Sequence, residues 1–173
     1  SDASIVVLQN EIPHEANLSI AKFCQENQVK VLYNPAPARE TDKEMIPFCD
    51  FITPNEHECS ELFPDKKLEE IIKIYPNKMI VTLGVEGSIY YDGTAVKKIP
   101  AIKAEVVDTT GAGDTFNGAF AYAISKGKEM DIALSFATIA SHLSVQRFGA
   151  QGGMPSLKEI KEHSGYEEIW DFK

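Results

Sequence analysis

Over the first half of the chain, short apolar segments rich in β-branched residues alternate with segments whose apolar residues recur at helical spacing. The strand-like segments are residues 5–8, 29–33, 51–53 and 79–83, and the helix-like segments are residues 14–27, 43–48, 55–62 and 68–75. Strands that follow one another through helices pair in parallel, and the helices cover both faces of the sheet. The alternation therefore predicts an α/β fold with three layers around a parallel sheet.

The pattern changes after residue 83, where two strand-like segments follow each other directly. Residues 88–92 and 95–99 flank Gly93, which suits a tight turn, so an antiparallel hairpin is predicted at one edge of the sheet. The helices predicted after it cover residues 113–125 and 130–146 and a segment capped by Ser156. No internal repeat or linker interrupts the sequence, so we expect one domain over residues 1–173.

Charge and hydropathy limit the classes of partner. The 173 residues carry a formal charge of −9, which opposes binding to nucleic acid. No apolar run reaches the roughly 18 residues of a membrane span, and no basic region followed by an apolar one opens the chain. Cys24, Cys49 and Cys59 form no CxxC pair, so neither a disulfide framework nor a zinc site is indicated. These features predict a cytoplasmic protein that acts on small molecules.

Residues 106–116, VVDTTGAGDTF, carry the most chemical information. They predict a short strand, a turn of small residues and the start of a long helix. Unpaired N–H groups at such a helix start attract anions, and Gly111 and Gly113 let a phosphate approach the backbone closely. The same residues also suit an ordinary strand-to-helix turn. A dinucleotide site is a further alternative, although Phe116 stands at the third small position of that fingerprint, and no P-loop motif occurs.

Asp114 favours one alternative over the others. A site that only held phosphate would gain nothing from a carboxylate pointing into it. A carboxylate can instead accept the proton of an attacking alcohol while neighbouring N–H groups stabilise the transferring phosphoryl group. The segment therefore predicts phosphoryl transfer. If the segment is only a strand-to-helix turn, Asp114 is instead a first-turn acid favoured by the helix dipole.

The run from Asp108 to Phe116, followed by Asn-Gly-Ala-Phe, resembles the C-terminal signature of the PfkB, or ribokinase-like, family of carbohydrate kinases. Further matching segments are residues 8–13, 34–38, 53–58, 82–87 and 147–151. The Asn-Pro-Ala-Pro-Ala segment and the motif around Glu11 are more similar to the ribokinase branch than to the fructokinase or adenosine kinase branches.

The resemblance implies roles for particular residues. Asp114 would be the catalytic base, Ala112 and Gly113 would line the anion hole, and Glu11 would contact the sugar. The residues implied to contact ATP are Asn55, Thr82, Gly84, Gly87, Gly111, Gly113 and Thr138. Each also has a structural interpretation, notably Asn55 as a helix cap, Thr138 as a packed helix residue and Glu11 as a loop charge.

Two kinds of metal ion are also implied. Glu58, with Asn55, would help to arrange Mg²⁺ and the phosphates. The residues implied for a monovalent cation, usually K⁺, are Asp108, Thr110, Ser144, Arg147, Gly149 and Gly153. Arg147 is positive and would offer only backbone oxygen, and Gly153 lacks the hydroxyl that some relatives present.

The resemblance covers only the C-terminal part of the family architecture. The glycine-rich sugar pocket and the lid of the N-terminal part are not found, so we expect a kinase fragment that is inactive by itself and can dimerise through an exposed edge strand at residues 5–8. The expected reaction is transfer from ATP to the primary 5-hydroxyl of D-ribose. The alternatives are another PfkB-type sugar or nucleoside kinase, a non-catalytic nucleotide-binding fragment, and a dinucleotide-dependent oxidoreductase.

Overall fold

The computed structural model describes residues 3–172. Their contacts group into two compact units. One unit runs up to Gly84 and includes Ser88–Lys98, and the other comprises Val85–Gly87 and the chain from Ile99 onward. A single domain over residues 1–173 stays a prediction.

The first unit alternates strands and helices as the sequence predicts. Its elements are β1 (Ile5–Gln9), α1 (His14–Glu26), β2 (Lys30–Asn34), a 3₁₀ helix (Glu40–Phe48), β3 (Phe51–Ile52), α2 (Glu56–Leu62), α3 (Leu68–Ile74), β4 (Ile80–Thr82), β5 (Ser88–Tyr91) and β6 (Val96–Ile99, of which Ile99 belongs to the second unit). The segment predicted as a helix from residue 43 is instead a 3₁₀ helix that begins at Glu40, and it contains Pro47, which lacks the N–H that an α-helix would use.

Parallel pairing dominates the first unit. Strand β1 pairs with β2, with Val7 opposite Leu32, and β2 pairs with β3. Two isolated parallel bridges, Ile52 to Met79 and Asn55 to Thr82, link the segments around β3 and β4. Strand β5 then runs antiparallel to β4, and β6 follows it in the sheet. The predicted α/β fold and its antiparallel hairpin are confirmed.

Helices and strands of the first unit share one apolar core. Val31, Tyr33 and Met79 lie in it with residues of α1, α2 and α3. Leu32 and Ile80 are also fully buried but lie outside this cluster, so both faces of β2 and β4 are covered, as expected for parallel strands. All three cysteines are buried and free; burial raises the pKa of Cys24, that of Cys49 to about 12 and that of Cys59 to about 11.

The second unit is largely helical. Its helices are α4 (Ala112–Ser125), α5 (Met130–Ser144), α6 (Ala150–Gly153), α7 (Leu157–Glu162) and a 3₁₀ helix (Glu168–Trp170). Helices α4 and α5 pack on each other, and Phe120 of α4 and Ala137 of α5 are fully buried. The Phe172 ring closes this core by stacking on Phe136 with ring centroids 4.2 Å apart.

One predicted strand is wrong. Val106 and Val107 lie in irregular backbone, where their exposed fractions are 55% and 60%. The Val107 N–H donates to the Val145 carbonyl at 2.8 Å instead of to a neighbouring strand. Among the residues that the structure describes, no helix is both long and apolar enough to cross a membrane.

Candidate functional site

The turn before α4 requires glycine at one position. Gly111 is the N-cap of α4 and has φ +78°, a backbone conformation that side chains disfavour. A Cβ there would also lie 3.0 Å from the Cα and Cβ of Ala150 in α6. Gly111 therefore lets the chain turn sharply and brings the start of α4 close to α6.

The first N–H groups of α4 differ in what they bind. The Ala112 N–H donates to the Thr109 carbonyl at 3.2 Å, so its predicted role in an anion hole would require this bond to be shared. The Gly113 N–H has no acceptor among residues 3–172. Gly113 is exposed, and a Cβ there would meet nothing within 4 Å, so open space adjoins its Cα. Gly113 is thus the better placed of the two predicted anion-hole donors.

Asp114 follows in the first turn of α4 and is exposed. It also lines an apolar cavity of about 310 Å³ within the second unit, together with Thr115, Gly118, Tyr122, Phe136 and Leu157 among others. The Thr115 hydroxyl is buried and has no hydrogen-bond partner among the described residues. The predicted base therefore lines this cavity and directly follows Gly113 in the chain.

Asp108 ties this turn to the loop after α5. Its Oδ1 accepts the Thr110 N–H and its Oδ2 accepts the Gly149 N–H, each at 2.9 Å. Hydrogen bonds from the Thr110 hydroxyl and backbone, and then from Gly149, hold the pKa of Asp108 below its ordinary value. Three of the predicted cation ligands, Asp108, Thr110 and Gly149, therefore lie together.

The other three predicted cation ligands also lie together. The Ser144 carbonyl accepts the Arg147 N–H at 3.3 Å, and a Cβ at Gly153 would lie 2.8 Å from the same oxygen. The Gly153 N–H donates to the Gly149 carbonyl at 2.8 Å, which joins the two groups. The absence of a side chain at Gly153 is thus required by packing.

The side chain of Arg147 points to a different partner. Its guanidinium donates to Glu159 in an ion pair. Hydrogen bonds from the Ser156 N–H and then from Arg147 lower the pKa of Glu159 to about 2. Only the backbone of Arg147 is left for a cation, in agreement with what its charge implied. Ser156 caps α7 as predicted, since its Oγ accepts the Glu159 N–H.

Two residues predicted to contact nucleotide have clear structural roles. The Thr138 hydroxyl donates to the Leu134 carbonyl one turn earlier in α5 at 2.8 Å, and the residue is buried. Gly87 has φ +99°, and a Cβ there would lie 2.0 Å from the Ile99 carbonyl oxygen. These observations support the packing interpretation for Thr138 and a backbone requirement for Gly87, while their contact with nucleotide stays a prediction.

In the first unit, Asn55 and Glu58 form a reciprocal cap at the start of α2. Asn55 Oδ1 accepts the Glu58 N–H, and Glu58 Oε2 accepts the Asn55 N–H, both at 2.8 Å. Burial raises the pKa of Glu58, partly offset by the bond from Asn55. The parallel bridge to Thr82 brings Asn55 beside the end of β4, near Gly84, at the carboxyl ends of the strands where open α/β sheets bind ligands.

Glu11 lies in the exposed turn that follows β1. A polar network beneath this turn was missed by the sequence interpretation. Its members are Asn10, Tyr33, Arg39 and Asp42. The one local signal was an acid three residues after Arg39 at the start of the 3₁₀ helix, where Asp42 Oδ2 accepts the Arg39 N–H. Within residues 3–172 no group of three or more His, Cys, Asp or Glu side chains could hold a metal ion alone.

A family model described as pfkB family carbohydrate kinase matches residues 2–157. The chain belongs to this family. The ribokinase of Lactococcus lactis subsp. lactis is 66% identical over 160 residues, which cover 92% of this chain and 53% of that relative.

Solved structures of ribokinases match the fold closely. The Arabidopsis thaliana ribokinase, complexed with ribose and ATP, has a TM-score of 0.82 at 34% identity, and the match covers 99% of this chain and 57% of that one. The Cryptococcus neoformans ribokinase, in complex with ADP, has a TM-score of 0.84 at 27% identity, with 94% and 60% covered. The chain therefore spans a little over half the length of the relatives it matches.

Proposed function

We propose that this chain is the nucleotide-binding and catalytic part of an ATP-dependent sugar kinase, with the primary 5-hydroxyl of D-ribose as acceptor. The observation that carries the proposal is the start of α4, where the open Gly113 N–H precedes Asp114. The ribokinases that it resembles, including one bound to ribose and ATP, support ribose as the sugar.

In the proposed reaction, the sugar hydroxyl oxygen attacks the γ-phosphorus of ATP. A new P–O bond forms as the bond to the bridging oxygen breaks, ADP leaves with that electron pair, and Asp114 accepts the hydroxyl proton. The Gly113 N–H donates to the transferring phosphoryl group, where one such donor is typically worth about 10²–10³ in rate. Because the hydroxyl becomes acidic late in a loose transition state, orientation by Asp114 matters more than its basicity.

The remaining nucleotide contacts are proposed at Asn55, Thr82, Gly84, Gly87, Gly111 and Thr138. Asn55 and Thr82 are favoured by their place at the carboxyl ends of β3 and β4. Thr138 would meet nucleotide through its methyl group or by accepting a hydrogen bond, because its hydroxyl proton is donated to the Leu134 carbonyl.

The residues proposed for magnesium, Asn55 and Glu58, fit an Mg²⁺ ion that is held mainly by the ATP phosphates. Magnesium in kinases keeps several waters and is bound through one or two carboxylates and the substrate phosphates. Glu58 Oε1 is free of partners among the described residues, while Oε2 caps α2. When bound, Mg²⁺ would supply neutralisation of phosphate charge, and Glu58 would orient its water shell.

The donor set also fits a monovalent cation in the second unit. Asp108 is the one formal anion among the proposed ligands, and the others, Thr110, Ser144, Arg147, Gly149 and Gly153, would contribute through backbone oxygens. Carbonyl oxygens of this kind can replace the hydration shell of K⁺. When bound, the cation would supply positive charge beside the turn that holds Gly113.

A non-catalytic nucleotide-binding role for the isolated chain is favoured by one observation, which is that the chain spans only 53% of its Lactococcus relative. We expect the 173-residue chain alone to show no sugar phosphorylation, because the glycine-rich sugar pocket and the lid of the family are not found in its sequence. Groups that position the acceptor contribute roughly 7–11 kcal/mol in well-oriented reactions. A cytoplasmic location and a homodimer stay predictions.

The test is an assay of the complete protein that contains these residues, with ATP, Mg²⁺, K⁺ and a panel of ribose, deoxyribose, fructose and adenosine. We expect the highest kcat/KM with ribose, a 5-phosphate product identified by phosphorus NMR, and lower activity when Li⁺ replaces K⁺. Preference for another acceptor would replace ribose in the proposal. Absence of ATP-dependent phosphorylation of every compound would overturn it.

A further inference from the structure

A single guanidinium holds the turn that carries Glu11. Arg39 Nη1 donates to the Ile12 carbonyl at 3.2 Å, and Arg39 Nη2 donates to the Asn10 carbonyl. The two carbonyls that flank Glu11 are therefore bound by one planar group. The rigid fork of an arginine suits this double contact, whereas a lysine ammonium is a point charge.

Arg39 is itself fixed by a buried carboxylate. The Arg39 N–H donates to Asp42 Oδ2 at 2.7 Å, and the Asn10 side-chain amide donates to the same oxygen at 2.8 Å. Asp42 is only 1% exposed, and a buried carboxylate is costly unless such bonds are made. The Tyr33 hydroxyl lies 2.5 Å from the other oxygen, Asp42 Oδ1.

Asn10 connects this network to the neighbouring loop. Its side-chain amide also donates to the Pro37 carbonyl at 2.7 Å, and its backbone N–H donates to the Ala36 carbonyl at 3.3 Å. The loops that follow β1 and β2 are thereby joined at the carboxyl ends of two parallel strands. That edge is where open α/β sheets bind their ligands.

The side chain of Glu11 is left available by this arrangement. It is exposed, while the residues on both sides of it are anchored, and it forms no ion pair with Arg39 in the part of the chain that the structure describes. A carboxylate accepts hydrogen bonds from hydroxyl groups, so a fixed backbone with a free carboxylate suits a polyhydroxy ligand.

We propose that Arg39 is a positioning residue for the acceptor site, which acts by fixing the backbone on both sides of Glu11 so that its carboxylate meets the sugar hydroxyls. The proposal rests on the sugar-kinase function proposed above. Asp42 and Tyr33 support Arg39 from beneath the turn, and none of these three residues needs to touch the sugar.

The test is the Arg39→Lys variant of the complete protein, measured in two backgrounds, parent and Glu11→Ala. In the parent background we expect the KM for the sugar to rise about tenfold, with kcat and the KM for ATP changed less than twofold, because ground-state binding of one substrate is weakened. In the Glu11→Ala background the same change is expected to add less than twofold, since the side chain that Arg39 positions is already removed.

Equal effects of Arg39→Lys in both backgrounds, or equal rises of KM for sugar and ATP, would overturn the proposal. A parent without sugar turnover would instead refute the proposed function, and the inference with it. If Arg39→Lys does not fold, Tyr33→Phe replaces it in both backgrounds, with a smaller rise in the KM for the sugar expected and the same additivity test. A matched control, Lys97→Met, removes a half-buried cation whose ion-pair partner within residues 3–172 is Asp92, and it is expected to change neither KM.

Discussion

Two turns of the molecule carry the proposed acceptor and phosphate chemistry, and they are held in opposite ways. The turn at Glu11 is fixed by the side chains of Arg39 and Asp42, which lie 27 to 32 residues further along the sequence than the groups they bind. The turn at Gly111–Asp114 is fixed mainly by backbone conformation and by the local carboxylate of Asp108.

The difference follows from what each turn binds. A phosphate is recognised by backbone N–H groups, which every sequence possesses, so the α4 turn needs a particular backbone path with its amides left open. A sugar hydroxyl is recognised by a placed carboxylate, so the Glu11 turn needs a fixed backbone beneath an exposed side chain. The first requirement selects glycines and the second selects a polar network.

The largest expected effect comes from replacing each of the two carboxylates, Asp114 and Glu11, by the matching amide. In the complete protein, Asp114→Asn removes the proton acceptor and keeps the shape, so we expect kcat to fall about 10²–10⁴-fold with the KM for ATP nearly unchanged. Glu11→Gln is expected to raise the KM for the sugar with a smaller effect on kcat. Steady-state kinetics with both substrates varied distinguishes the effects of the two variants. Near-normal turnover of Asp114→Asn would contradict the role of Asp114 as proton acceptor, and with it the different roles given to the two turns.

A second prediction separates two glycines of the same turn. Gly111→Ala places a side chain at φ +78° and against Ala150, so we expect a loss of about 1–2 kcal/mol in the free energy of unfolding, and more if α6 must move. Gly113→Ala meets open space in a helix, so stability is expected to stay the same or rise slightly.

Activity is expected to rank this pair differently from stability. The Gly113→Ala methyl group would occupy the space that a phosphate needs, and we expect kcat/KM for ATP to fall at least tenfold in a fully folded protein. Denaturant titration and kinetics on both variants provide the measurement. Unchanged kinetics in Gly113→Ala would mean that phosphate does not approach this amide.

The smallest effect concerns Asp108, which joins the α4 turn to Gly149. Asp108→Asn leaves one of the two backbone donors without an acceptor, so the variant is expected to be modestly less stable at pH 7. The pKa of Asp108 is lowered in the folded protein, so its contribution is present above the unfolded pKa and is lost as the pH falls through the folded pKa. The stability gap between parent and variant is therefore expected to narrow below about pH 4. A gap independent of pH would indicate that the carboxylate charge plays no part.

The sequence was sufficient wherever the signal is local and periodic. The strands and long helices were predicted to within a few residues, and both Asn55 and Ser156 cap helices as expected. The strand at Val106 was wrong because two β-branched residues indicate a strand only when a partner strand is present. Helix α6 was missed because four residues, two of them glycine, show no helical periodicity.

The candidate site also contains a part that the sequence predicts and a part that it does not. Residues 108–114 are contiguous, so their chemistry could be recognised as a single motif. The polar network around Arg39 could not be recognised in this way, because Asn10, Tyr33 and Asp42 meet only after β1 and β2 pair. Their spacing in the sequence does not predict that contact. The roles of Thr138 and Gly153 also depended on packing that only the fold reveals.

The three buried cysteines have a practical consequence for experiments on these turns. The thiolate is the form that reacts with maleimides, and burial holds the pKa of Cys24, Cys49 and Cys59 above the ordinary value. A single thiol placed at an exposed position, such as Phe148→Cys next to Gly149, would then be the preferred site of labelling without removal of the native cysteines. A fluorophore attached there would report on the loop tied to Asp108 while the sequence of the core stays intact.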